Sequence, residues 1–164
     1  MKRIGVWLSV LLFALTIGAT DMYVAPAALG TGDGYTEKNA AMWTDKLFWT
    51  HAQQRVKQGD TTVHFAAGTY LARKSGSTAV SLQLSKVGAA NHTLTLLGAE
   101  NEGSVFVRDP SEPTDQTAEN RLSYILYLYQ CQNVTVDGLH FTGNGAIGYA
   151  LGIRTPYNVR VRNC

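Results

Sequence analysis

The tetrapeptide Asn133-Val134-Thr135-Val136 returns as Asn158-Val159-Arg160-Val161, a displacement of 25 residues. The same displacement carries Leu126 to Leu151, Leu128 to Ile153 and Leu139 to Cys164. A fixed offset that keeps apolar residues in register is expected when successive turns of one coil stack, each strand burying its inward side chains on the strand before. The offset favours a coil over a sandwich of two sheets.

The segments that carry the repeat read as strands. Past Gly59-Asp60 the chain becomes a series of short β-branched and aromatic runs separated by Gly, Asn or Asp. They are 61–65, 80–84, 93–97, 104–107, 124–130, 134–136, 139–141, 150–154 and 159–161. Short strands between turn signals predict an all-β domain. Before them, Trp43, Leu47, Phe48, Ala52 and Val56 fall on one face of a predicted helix over 43–57, stopped by Gly59. Trp43, Leu47 and Val56 are expected to cover the open end of the stack, because a terminal turn exposes both its apolar interior and a row of unpaired backbone groups. The loop Gly30-Thr31-Gly32-Asp33-Gly34 lacks the Gly-Lys-Ser/Thr ending of a phosphate cradle and reads as a turn.

Composition supports a packed fold. With 45% hydrophobic residues and a formal net charge of +2 in 164 residues, the chain is neither disordered nor strongly charged. Two cysteines cannot build a disulfide framework, and the 33-residue separation of Cys131 and Cys164 does not match the repeat, so two small buried thiols are expected. Lys2 and Arg3 precede an uncharged apolar run from Ile4 to Ile17, followed by the small residues Gly18, Ala19 and Thr20. This is the pattern of a secretory signal peptide cut after Ala19 or Thr20. The run is shorter than the roughly 18 to 20 residues of a spanning helix. The exported product is therefore expected to have no membrane anchor, and without the leader 12 Lys+Arg face 12 Asp+Glu. It also lacks the basic stripe of a nucleic-acid binder, apart from Arg154, Arg160 and Arg162 near the end. The organisation is thus a signal peptide over 1–20, a loop and capping helix over 21–60, and the first coils of a stack over 61–164. About 104 residues from Thr61 onward make roughly four coils at 25 per turn.

The sequence resembles the right-handed parallel β-helix proteins of the pectate-lyase-like superfamily. The resemblance rests on four stretches: Tyr23-Val24-Ala25-Pro26 with its Gly/Asp loop; the helix leading into Gly59-Asp60-Thr61-Thr62-Val63-His64-Phe65-Ala66-Ala67-Gly68-Thr69-Tyr70; the strand pair 93–97 and 104–107; and Asn133-Val134-Thr135-Val136-Asp137-Gly138-Leu139-His140-Phe141-Thr142. Together they span most of the chain past the leader. The resemblance implies a parallel β-helix with an N-terminal capping helix. The chain stops in mid-repeat at Cys164 with no closing cap, so it is expected to be the N-terminal portion of a longer β-helix. The resemblance also implies a protein that engages polysaccharide, and the exported product is expected to be a secreted monomer. In complete form this would be a lyase or glycoside hydrolase acting on uronate-containing glycans; the alternative is a noncatalytic cell-surface or adhesin-like β-helix. No catalytic residue carries over, because the catalytic groups of those enzymes generally lie in later coils.

Candidate binding residues follow from strand alternation. With Leu126 and Leu128 inward, Tyr127 and Tyr129 point outward, and Gly152 and Arg154 lie 25 residues on along the same face. Tyrosines beside a guanidinium suit an acidic sugar: rings pack on a pyranose while Arg pairs with a carboxylate. The plainer reading is a solvated decoration of the sheet. A second outer row places Thr135 against Arg160 and Asp137 against Arg162, an exposed ion pair, with Asn133 against Asn158 as an amide ladder. The sequons at Asn91 and Asn133 matter only in a eukaryotic secretory pathway, and stacking would block that at Asn133. His51, His64, His92 and His140 are too dispersed for a zinc site. Asp109, Glu112, Asp115 and Glu119 lack calcium-loop spacing and read as a solvated loop. No cofactor is evident, and calcium enters only through the family resemblance.

Overall fold

The computed structural model describes residues 18–74, 80–101, 103–112, 117, 122–142 and 147–164. Residues 1–17 of the expected leader and the acidic residues Asp115 and Glu119 lie outside them. The chain is mostly β. In order it forms β1 (Thr20–Ala25), β2 (Ala41–Met42), α1 (Lys46–Val56), β3 (Thr61–Phe65), β4 (Gly68–Ala72), β5 (Val80–Ser85) and β6 (Leu94–Gly98). It continues through β7 (Ser104–Arg108), β8 (Leu122–Tyr129), β9 (Gln132–Asp137), β10 (His140–Thr142), β11 (Ile147–Arg154) and β12 (Tyr157–Arg162).

The strands sort into three sheets. One has the order β12-β9-β6-β3-β1-β2, the second β10-β7-β4 and the third β11-β8-β5. From β3 onward each sheet therefore takes every third strand, and the described pairings are parallel. The segment over 21–60, expected as loop and helix, also supplies two strands: β1 pairs with β3 from Thr20↔Thr61 to Val24↔Phe65, and β2 pairs with β1.

The 25-residue offset is real but local. It relates β8 to β11 and β9 to β12, where Leu126 meets Leu151 and Val134 meets Val159. Earlier circuits are longer: Thr61 pairs with Leu94 and Leu94 with Val134, steps of 33 and 40 residues. From β3 onward the three sheets are visited in rotation, as circuits β3-β4-β5, β6-β7-β8 and β9-β10-β11, with β12 following in the first sheet. Ladder hydrogen bonds fix where strands meet and leave the connections free in length. The backbone repeats with the offset as well. Left-handed φ recurs at Gln130 and Thr155, at Asn133 and Asn158, and at Gly138 and Asn163.

The core lies between the sheets. Tyr70, Phe106 and Phe141 occupy one register line, with ring centroids 4.6 and 5.1 Å apart, and Trp43 meets the Phe106 ring edge-on. The Tyr70 hydroxyl donates to the Ala66 carbonyl at 2.8 Å, and burial pushes its phenol far above the usual range. Such stacked rings add to plain area burial.

Helix α1 starts at Lys46, not at Trp43, because the Asp45 carboxylate caps the amides of Leu47 and Phe48. That start turns Phe48, Trp49, Ala52 and Val56 inward and leaves Leu47 63% exposed. Leu47 is thus not a capping residue. Trp43 covers the core from the segment before the helix, and the Trp49 indole donates to its carbonyl at 2.7 Å. In the Gly30–Gly34 loop, Asp33 accepts from the Tyr35 amide and the Thr31 hydroxyl, which hold its carboxyl below the usual range. The loop is tied to its surroundings as well: the Tyr23 amide donates to the Gly34 carbonyl and the Thr31 amide to Asn39 Oδ1. At Gly34 a side chain would collide with the Phe48 ring.

Candidate functional site

The outer face of the β5-β8-β11 sheet is where the expected binding residues meet. Parallel register sets Tyr127 between Gln83 and Gly152, and Tyr129 between Ser85 and Arg154. Tyr127 and Tyr129 are half-buried, whereas Arg154 is exposed. The Arg154 guanidinium lies 5.9 Å from the centre of the Tyr129 ring, a distance at which a cation is attracted to an aromatic face. The Gln83 amide donates to the Ser85 hydroxyl at 2.8 Å along the same face. The three residues expected from alternation are therefore neighbours.

Two further tyrosines belong to the row. Tyr124 stacks on Tyr127 with centroids 4.7 Å apart, and Tyr149 stacks on Tyr124 at 5.3 Å. Tyr127 and Tyr129 complete the run at 6.3 Å with planes 14° apart. Strict alternation places Tyr124 inward beside Leu126. However, Ile125 and Leu126 are both buried, so the alternation slips by one residue within β8 and Tyr124 joins the Tyr127 side. The signal that could have found the pair is the repeat itself, which carries Tyr124 to Tyr149.

The row needs Gly152. A Cβ there would run into the rings of both Tyr124 and Tyr127. With only hydrogen at that position, the two rings can lie against β11. Stacking turns the ring faces of the row on one another. Among the described residues, Tyr149 has a ring neighbour on one side only and is 64% exposed. The face thus offers one open ring, a line of phenols and an exposed guanidinium. From Tyr149 to Arg154 along β11 is about 16 Å at ~3.3 Å per residue.

The second outer row is a structural ladder. Asn158 Nδ2 donates to Asn133 Oδ1 at 2.6 Å, and Asn133 Nδ2 donates to the carbonyls of Ala89 and Ala90. Arg162 Nε donates to Asp137 at 2.9 Å. Both asparagines have left-handed φ, where Asn is tolerated better than most residues.

The acidic stretch is not simply solvated. Asp109 is buried, accepts from the Ser111 amide and hydroxyl, and pairs with Arg73. The Ser111 hydroxyl and amide, and then Arg73, hold its carboxyl down to about 2 against the cost of burial. An unpaired carboxylate at that depth would be costly, so the fold supplies partners. Among the described residues no three His, Cys, Asp or Glu gather to hold a metal ion. Cys131 and Cys164 are both free, but only Cys131 is buried; the chain's last residue sits exposed against the carbonyl of Arg162. Burial pushes the Cys131 thiol up. No helix among the described residues is long and apolar enough to cross a membrane.

Comparison with known proteins finds no match among family models, curated proteins or solved structures. The functional reading therefore rests on the geometry of this chain.

Proposed function

We propose that this chain is an exported right-handed parallel β-helix of the pectate-lyase-like kind that binds acidic polysaccharide along the tyrosine row. Three parallel sheets visited in rotation support the coil, and parallel crossovers within one sheet are right-handed in about 98% of cases. Export rests on the leader pattern, Lys2-Arg3 before an uncharged apolar run.

The observation that carries the binding reading is the continuous row Tyr149, Tyr124, Tyr127 and Tyr129 ending at Arg154. The open Tyr149 ring suits the apolar side of a pyranose. Phenols both donate to and accept from sugar hydroxyls. Arg154 pairs with a uronate carboxylate through two parallel N–H···O bonds. The row's length favours an oligosaccharide over a single sugar.

Its hydroxyl, amide and guanidinium groups favour binding, and no residue is assigned to acid–base work. The test is retention on immobilised polygalacturonate. Tyr149→Ala with Arg154→Ala is expected to weaken it about tenfold, the loss of ~1.4 kcal/mol. Arg154→Ala alone should remove the preference for uronate over neutral glycan. Undiminished retention with an unchanged circular dichroism spectrum removes the site. Assay of the protein for unsaturated products or new reducing ends separates a lyase or hydrolase from a noncatalytic surface protein.

A further inference from the structure

A groove of about 1300 Å³ lies between α1 and the first circuit. One wall is a helix stripe with Lys46, Gln53 and Lys57; the other is formed by β4 and by β5 along its whole length. This exceeds the ~300–1,000 Å³ of ordinary small-molecule pockets and suits an extended chain better.

Three independent features of the groove agree on its occupant. First, β5 ends its sheet in the order β11-β8-β5 and β4 ends the order β10-β7-β4, so among the described residues each strand is hydrogen-bonded on one side only. A strand edge offers alternating amides and carbonyls at the two-residue period of another peptide. Second, two apolar side chains in the lining remain open to solvent, Met42 at 43% and Leu71 at 40%. Third, the lining contains Lys46, Lys57, Arg73 and Lys74 and no carboxylate; Asp109 reaches Arg73 from outside the lining. The two tryptophans of the groove, Trp43 and Trp49, are buried at 3% and 7% and offer no ring face for a sugar to stack on.

We infer that this groove takes an extended segment of a partner protein, bearing alternating acidic and apolar side chains, which adds as a strand to the free edge of β5. The backbone of the segment completes the β5 ladder, its carboxylates meet Lys46 and Lys57, and its apolar side chains cover Met42 and Leu71. Helix and strand are already fixed to one another: Gln53 accepts from the Gly88 amide at 3.0 Å and donates to the Lys86 carbonyl at 3.2 Å, just past β5. The groove is thus held open before binding, which lowers the ordering cost of association.

Anisotropy of a fluorescent, end-capped peptide of alternating Glu and Val tests the inference on the full chain. Binding is expected, and Lys46→Glu with Lys57→Glu should weaken it at least about tenfold, since both lysines are exposed and like charges would then face the peptide. N-methylation of every second peptide amide, in each of the two phases, should abolish binding in one phase and spare the other. Tyr149→Ala with Arg154→Ala should leave peptide binding unchanged, which keeps this site separate from the tyrosine row. Equal binding by both N-methylated peptides would reduce the site to a charged surface and overturn strand addition. Absence of binding by the unmodified peptide overturns the proposal, as does displacement of the bound peptide by an oligogalacturonate at equal concentration.

Discussion

The sheet that contains β3, β6, β9 and β12 places the same kind of residue on the same inward line four times, and buries it three times. Val63, Leu96 and Val136 are fully buried, whereas Val161, in register with Val136, is 44% exposed. The line of Leu94 and Val134 behaves alike, with both buried and Val159 only partly so. Chemistry and backbone register are the same; what differs is a circuit on each side. In this stack a residue becomes dry through its neighbours above and below rather than through its own strand. The first circuit is covered by α1, Trp43 and β1, while β12 has a paired strand on one side only among the described residues and its inward line is open to solvent.

The two cysteines give the sharpest test of that comparison, because the interior and the terminal circuit each hold one. Cys164 should react with a disulfide reagent in the native protein, and Cys131 only after denaturant, with rates separated by orders of magnitude. Burial keeps Cys131 protonated near neutral pH, which protects it further. Equal native rates would show that the interior circuit is as open as the last.

Truncation of the inward line should give the next largest effect. Leu96→Ala is expected to cost about 2–5 kcal/mol in urea unfolding. Val161→Ala should stay within about 0.5 kcal/mol, as exposed positions generally do. Similar costs would mean that the exposed circuit is packed in solution.

The buried Asp109 sharpens the comparison through pH. Its folded-state carboxyl is held down to about 2, so its contribution is present above the ordinary carboxylate range and is lost as pH falls through about 2. Asp109→Asn should therefore be less stable than the native chain at pH 7, and the difference should vanish in strong acid. A gap independent of pH would assign the effect to shape instead of charge. The smallest effect belongs to the terminal pair: Arg162→Ala should cost about 0–1 kcal/mol and less at high salt, because the pair lies at the surface. A larger loss would show that β12 is held by this pair more than by its ladder.

Much of the β structure was legible in residues. The runs between Thr61 and Val161 each contain or overlap a strand, because β-branched and aromatic side chains suit a pleated, half-buried surface and Gly, Asn and Asp mark the bends. The Asn133–Asn158 and Asp137–Arg162 contacts followed from the offset alone. The strands β1, β2 and β4 lay outside the predicted runs, and the two-residue β2 is defined by its pairing with β1. In the tyrosine row, alternation found Tyr127, Tyr129 and Arg154. It missed Tyr124 because a single slip at Ile125–Leu126 reverses which residues face outward, and it missed Tyr149 with it.

The sequence by itself determined the strand-forming runs, the 25-residue register of the last circuits and the outward position of Tyr129 beside Arg154. Those are consequences of side-chain shape and of a two-residue period, both local. Only the tertiary structure decided the length of the earlier circuits, the phase of α1 that turns Leu47 to solvent, the burial of Asp109 and the contact of Tyr124 and Tyr127 over Gly152. Each of these depends on which distant residues arrive on the far side of a side chain, and that is set by packing between circuits, where loop lengths are free and contacts are not.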